Sequence, residues 1–173
     1  SYSSPISTST YGTGEYYFQT RRTSSGPGCS NSAWEPSGNG SLLWFVDVAP
    51  VAPTISKNPN ESSVCVGADL TVNVTAFGSG GAGTCNDQVR YSTNNGSTWS
   101  AWSGTVPTVT ASTTGTFIMQ ARRKCNGGEC DSTANSVNWT VVADPSAPTA
   151  TKSPNITTVC AGLLLTLTSV TDN

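Results

Sequence analysis

The sequence has no histidine, a single methionine, and charged residues at only 10% of its 173 positions. Without histidine the usual general base is missing, and with it the Ser/His and Cys/His nucleophile pairs and the commonest transition-metal ligand. No catalytic role and no cofactor are expected. The formal charge of -2 supplies neither a basic field to follow a phosphate backbone nor an acidic run to form a solvating tail, so nucleic acid is not expected as a partner. Long apolar runs are lacking too. The longest near the end, Ala161 to Leu167, is broken by Gly162 and Thr166 and falls far short of the roughly 20 residues a membrane span needs. Carboxylates are sparse, and Asp69, Asp87, Glu129 and Asp131 make no D-x-D-x-D spacing, which argues against a strong calcium site. What is abundant is Ser and Thr, together nearly three residues in ten, with 17 Gly and 10 Pro. That is a strand-and-turn composition, poor in helix formers.

Six cysteines with no C-x-x-C pair and no histidine to complete a zinc site read as disulfides made in an oxidising, extracytoplasmic setting. The first residue is Ser with no charged and apolar leader before it, and the chain stops at Asn173 shortly after a strand-like run. Both ends read as cut from something longer.

Self-similarity sets the organisation. At a fixed offset of 95, Pro53, Lys57, Pro59, Val64, Cys65, Gly67 and Leu70 recur as Pro148, Lys152, Pro154, Val159, Cys160, Gly162 and Leu165, and Trp44 recurs as Trp139. A second match, shifted by 101, pairs Gly14, Gln19, Arg21, Arg22 and Cys29 with Gly115, Gln120, Arg122, Arg123 and Cys130. The six-residue difference is an insertion around Trp34 to Gly40, expected on a hairpin tip where length is tolerated. The chain therefore divides into the back part of one repeat (1–50), a complete repeat (51–145) and the opening of a third (146–173). The boundaries, Ala49-Pro50-Val51-Ala52-Pro53 and Asp144-Pro145-Ser146-Ala147-Pro148, are proline-stiffened and should hold neighbouring repeats extended.

Inside the complete repeat the apolar period is two. Leu70, Val72, Val74 and Ala76 alternate with Thr71, Asn73 and Thr75, and similar alternation runs through Val89 and Tyr91, through Phe117, Met119 and Ala121, and through Val137, Trp139 and Val141. One face of each strand goes inward. About seven short strands in a repeat of this length predict an all-β chain of tandem immunoglobulin-like antiparallel sandwiches, with the buried Trp on the last strand. Cys85 precedes the strand Asp87 to Ser92 and Cys125 follows the strand Thr116 to Arg123, so these two fall at the same end and are placed to bond. Ser24 stands where Cys125 would be in the first repeat while Cys29 is kept, which leaves Cys65 as the partner of Cys130. A plain immunoglobulin topology puts that pair at opposite ends, so a shifted first strand or a bond to a neighbouring repeat is the alternative.

The run Val64-Cys65-Val66-Gly67, the segment Tyr91 to Trp99, the strand Phe117 to Arg123 followed by a Gly-rich Cys130, and Val137 to Val142 leading to Pro together resemble the immunoglobulin-like and PKD-like repeats of very large surface proteins of Bacteroidota. These are exported by the type IX system and include gliding-motility adhesins of the SprB type. The resemblance implies a spacer repeat of a long extracellular, cell-surface adhesin filament. Its partners would be neighbouring repeats of the same chain and a surface polysaccharide or a cell-surface anchoring protein. The extra Cys85 and Cys125 and the Trp34 insertion depart from the common pattern. Asp131-Ser132-Thr133 is similar to the acceptor of general O-glycosylation in the same bacteria, which would put a glycan on Ser132.

Ser92 to Trp99 also matches the Asp-box form S-x-D-x-G-x-T-W with Asn94 in place of Asp. Its physical content is a tight Gly turn closed by a Trp, a hairpin and not a catalytic centre. Trp34, Trp99 and Trp102 could stack on sugar rings, which motivates a second reading as a carbohydrate-binding module of a secreted polysaccharide-degrading enzyme. Packing within the core or a hairpin is the plainer account of those rings. Arg21, Arg22, Arg122 and Arg123 read as solvated charge at strand ends.

Overall fold

The alternating segments become strands. The computed structural model describes residues 7, 12–36, 42–127 and 130–171, and among these it contains strands, turns and loops with no helix. The segment 51–145 carries seven strands: β3 (Thr54–Asn58), β4 (Ser63–Cys65), β5 (Asp69–Ala76), β6 (Ala82–Ser92), β7 (Val109–Thr110), β8 (Gly115–Gly127) and β9 (Asn135–Val142). The first 50 residues supply β1 (Gly14–Tyr17) and β2 (Leu43–Val46), and the last stretch supplies β10 (Thr149–Ser153) and β11 (Thr166–Thr171).

The seven central strands form two sheets, ordered β3-β5-β7 and β4-β9-β8-β6. All neighbours are antiparallel except β4, which lies parallel to β9. One core joins the sheets: Ile55, Leu70 and Val72 from the first meet Val89, Phe117, Met119, Trp139 and Val141 from the second. Each is the inward member of its alternation, and burying such a side chain contributes about 1.5–3 kcal/mol. Trp139 is at the centre, fully buried, with Phe117 edge-on at 5.9 Å and its indole N–H donated to the Pro59 carbonyl at 2.9 Å.

The flanking hairpins reproduce parts of this arrangement. β1 and β2 pair Gly14 with Val46 and Tyr16 with Trp44, the register in which β8 and β9 pair Gly115 with Val141 and Phe117 with Trp139. β10 and β11 pair Lys152 with Leu167 and Ser153 with Thr166, as β3 and β5 pair Lys57 with Val72 and Asn58 with Thr71. Gly67 and Gly162, the two glycines that close the matching corners, share φ of 94°, a left-handed conformation that a Cβ would strain.

Three expectations are corrected. β8 runs to Gly127 and β6 begins at Ala82, so Cys85 and Cys125 lie inside their strands as registered partners rather than beyond the ends. Pairing continues past Arg123, through Asn86 with Lys124 to Ala82 with Gly127. The insertion does not sit on the hairpin tip. Tyr17 pairs with Leu43 and Thr20 with Glu35, so the two arms already differ in length between these pairs, short of the tip. Residues 37–40 of that insertion, and Glu129, lie outside the described residues. The linker before the complete unit is not merely stiff but bonded. Val51 and Ser79 exchange both backbone hydrogen bonds, at 2.8 and 3.2 Å, and the Gly81 N–H reaches the Val48 carbonyl at 2.7 Å.

Candidate functional site

Two clusters concentrate the polar chemistry of the central unit. The first begins with the segment Trp99-Ser100-Ala101-Trp102-Ser103, which follows the turn after β6 and runs back along its edge. Asn95 and Gly96 turn the chain at positive φ, 55° and 82°. Asn94 accepts from the Ser92 hydroxyl and the Thr98 N–H at 2.9 Å each, and the Gly96 N–H donates to Ser92 Oγ at 2.9 Å. The Asp-box-like stretch is thus a self-satisfied hairpin turn. Ser100 and Ser103 then bond the backbone of β6, at Tyr91 and Val89.

That return path lays both tryptophans over the outer face of the β6–β8 sheet. Arg90 stands 4.2 Å from the Trp99 ring centre and 4.4 Å from that of Trp102, and Arg122 stands 4.3 Å from Trp102. Register explains the fit. Arg90 faces Gln120 and Gln88 faces Arg122, so the two guanidiniums occupy consecutive rungs about 7 Å apart, twice a stacking distance, and one indole fits between them. Each arginine is held flat by its cross-strand glutamine: Arg90 donates twice to Gln120 Oε1, at 3.0 and 2.8 Å, and Arg122 twice to Gln88 Oε1, at 3.2 and 3.0 Å. Arg122 and Lys124 also pair with Asp131 at 3.1 and 3.2 Å. Burial, and then the like charge of Arg122, lowers the Arg90 pKa. At Asp131 desolvation raises the carboxyl pKa, but hydrogen bonding and charge from Lys124, with the charge of Arg122, outweigh it and leave it low.

This corrects the reading of Arg122 and Arg123 as solvated strand-end charge: their side chains are only 22% and 20% exposed. It also places the candidate sugar contacts. The rings of Trp99 and Trp102 are stacked on guanidiniums, and Trp34, about half exposed, carries Arg21 over its ring at 4.6 Å. A cation on an indole face contributes up to about 2 kcal/mol when desolvated. Replacing Arg90 by Met, which keeps the stem but removes the charge and both hydrogen bonds, should therefore cost about 2 kcal/mol in urea unfolding. Tryptophan emission should shift to the red as Trp99 and Trp102 loosen.

The second cluster is the junction at the opposite end of β6. Arg123, on the other side of β8 from Arg122, pairs with Asp87 at 3.1 Å and donates to the Gly80 carbonyl at 2.9 Å, while Asp87 accepts the Gly78 N–H at 2.8 Å. The loop so held touches the disulfide. A Cβ on Gly81 would collide with the sulfur of Cys125, would stand 2.7 Å from that of Cys85 and would press on Pro50, so only glycine fits between linker and bridge.

Cys85 and Cys125 are bonded, with Cα atoms 4.1 Å apart. The expected Cys65–Cys130 bond is not formed. Cys65 pairs in register with Val142 at the end of β9, whereas Cys130 lies between the end of β8 and the start of β9. The seven-residue run of β9 separates these ends by about 23 Å, far beyond the Cα separation of about 7 Å that a disulfide tolerates. Ser132 accepts the Arg123 N–H on its hydroxyl oxygen at 2.8 Å, so the oxygen that a glycan would use already braces the β8–β9 turn. Among the described residues no group of His, Cys, Asp and Glu could hold a metal ion, and no helix is long and apolar enough to cross a membrane. The first cluster is thus a ladder of fixed cations, Arg90 and Arg122, packed against the aromatic faces of Trp99 and Trp102. Sequence reading missed the ladder because Arg90 and Trp102 are joined by register and by the return path, neither of which leaves a local pattern. No protein-family model matches the sequence, and no curated protein matches it.

Proposed function

We propose that the chain is a stretch of tandem immunoglobulin-like repeats acting as a structural spacer in a long extracellular surface adhesin filament. The observation that carries this reading is shared register: β1–β2 repeats the pairing of β8–β9, and β10–β11 that of β3–β5 apart from a one-residue displacement of the bulge. The linker bonded to the Gly78–Gly81 loop supports reach and stiffness as the useful properties, and the disulfide supports a setting outside the cytoplasm. Guanidiniums already packed on the rings of Trp99 and Trp102 weigh against the carbohydrate-module reading, since they take up ring surface that a sugar would stack on.

Inserting a second copy of residues 51–145 after position 145 tests the spacer. The maximum dimension in small-angle scattering should grow by about 3 to 4 nm, the length of one sheet along its strands. An unchanged maximum dimension overturns the spacer reading, and glycan-array binding lost on Trp102→Ala moves the assignment to the carbohydrate module.

A further inference from the structure

The chain contains N-x-S/T triplets, the acceptor form for a sugar on asparagine, and among the described residues they begin at Asn60, Asn73, Asn95, Asn138 and Asn155. The fold separates those of the central unit. Asn73 and Asn138 lie inside paired strands, opposite Ser56 and Ile118, and the middle residue of the second triplet is the buried Trp139. Asn95 has φ of 55° in the hairpin turn after β6, where the Gly96 N–H is already donated to Ser92 Oγ. That leaves Asn60, exposed in the loop between β3 and β4.

Main-chain oxygens anchor this loop. The Pro59 carbonyl accepts the Trp139 indole N–H at 2.9 Å, the Glu61 carbonyl accepts from Lys57 Nζ at 2.8 Å, and the Ser62 carbonyl accepts the Thr140 N–H at 2.9 Å. The Asn60 amide and the Ser62 hydroxyl bond to nothing in the protein, and both residues are exposed. Yet both recur. At the 95 offset Asn60 becomes Asn155 and Ser62 becomes Thr157, so amide and hydroxyl are kept while Glu61 between them gives way to Ile156. The triplets held in strands do not recur: Asn73 is matched by Thr168 and Asn138 by Leu43. Two polar side chains that bond nothing add little to folding, so their recurrence calls for a role outside the fold.

We propose that Asn60 is a glycosylation site and that the donor is an oligosaccharide carried on a lipid-linked diphosphate. Asn60 Nδ2 bonds to the anomeric carbon of the first sugar and gives up one proton. The bond from that carbon to the diphosphate oxygen breaks, and the lipid diphosphate leaves with the electron pair. The Ser62 hydroxyl is the part of the triplet by which the transferase recognises the acceptor. The proposal rests on the setting outside the cytoplasm.

The folded full chain, incubated with a single-subunit oligosaccharyltransferase and a lipid-linked oligosaccharide, should gain a glycan that peptide mapping places on Asn60. Occupancy there should exceed that at Asn73 and Asn138 by about tenfold, because a paired strand must open locally before the enzyme can take it up. Asn60→Gln and Ser62→Ala should each remove the Asn60 glycan, whereas Ser62→Thr should retain it. All three variants should melt within about 4 °C of the wild type, since neither side chain bonds within the fold. A bare Asn60, a glycan retained by Ser62→Ala, or equal occupancy at 60, 73 and 138 would overturn the site. In chain recovered from the cells that make it, a bare Asn60 beside an intact Cys85–Cys125 bond overturns the site and leaves the setting standing, whereas free thiols at 85 and 125 overturn both.

Discussion

Replacing Cys85 and Cys125 together by serine should lower the melting temperature of the central unit by about 15 to 30 °C. The bridge closes a loop of 40 residues, for which the loop-entropy account gives about 4 kcal/mol at 25 °C, and a unit of this size loses about 4–8 °C per kcal/mol. Beyond entropy, the sulfurs form the floor under Gly81, against which Pro50 packs, so the serine pair should also loosen the linker. Circular dichroism melts of the wild type with and without reductant, beside the double variant, make the comparison. Reduced wild type and variant should melt together, and a shift below about 5 °C would mean that the strands alone hold that end of the sheet.

Trp139→Ala should cost about 3–5 kcal/mol, the range for truncating a buried aromatic, and should reduce the urea midpoint accordingly. Trp139 fills the contact between the two sheets and satisfies the Pro59 carbonyl. Trp139→Phe keeps most of the packing but orphans that carbonyl, and it should cost about 1–3 kcal/mol. The matching substitution in the first hairpin separates motif from burial. Trp44 occupies the same register position but is about half exposed, so Trp44→Ala should cost under about 1 kcal/mol in the same assay. Equal costs at 44 and 139 would contradict the packing described for both.

Local pattern carried much of this fold. The alternations through Leu70 and Val72, through Phe117, Met119 and Ala121, and through Trp139 and Val141 all end on the inner faces of the sheets, because side-chain direction in a strand is fixed by a period of two. Cys85 and Cys125 were legible as a pair since each lies near the end of a recognisable strand. What escaped depends on distant segments. The parallel docking of β4 on β9 separates Cys65 from Cys130, and no pattern within 63–65 announces it. Arg122 looks like any exposed cation until the turn at Asn95 and Gly96 brings Trp102 across the sheet to cover it. The insertion after Glu35 was visible as a length difference, but its position short of the tip required the Thr20–Glu35 pairing.

The parallel docking of β4 on β9 has a mechanical consequence. The chain enters the central unit ahead of β3 and β4 and leaves it from the end of β9. Tension applied to both ends therefore draws β4 and β9 in opposite directions along their own axes, and the pairs at 63 and 140, 64 and 141, and 65 and 142 are strained together in shear. An antiparallel hairpin under the same pull would unzip one rung after another, whereas here the rungs must yield at once.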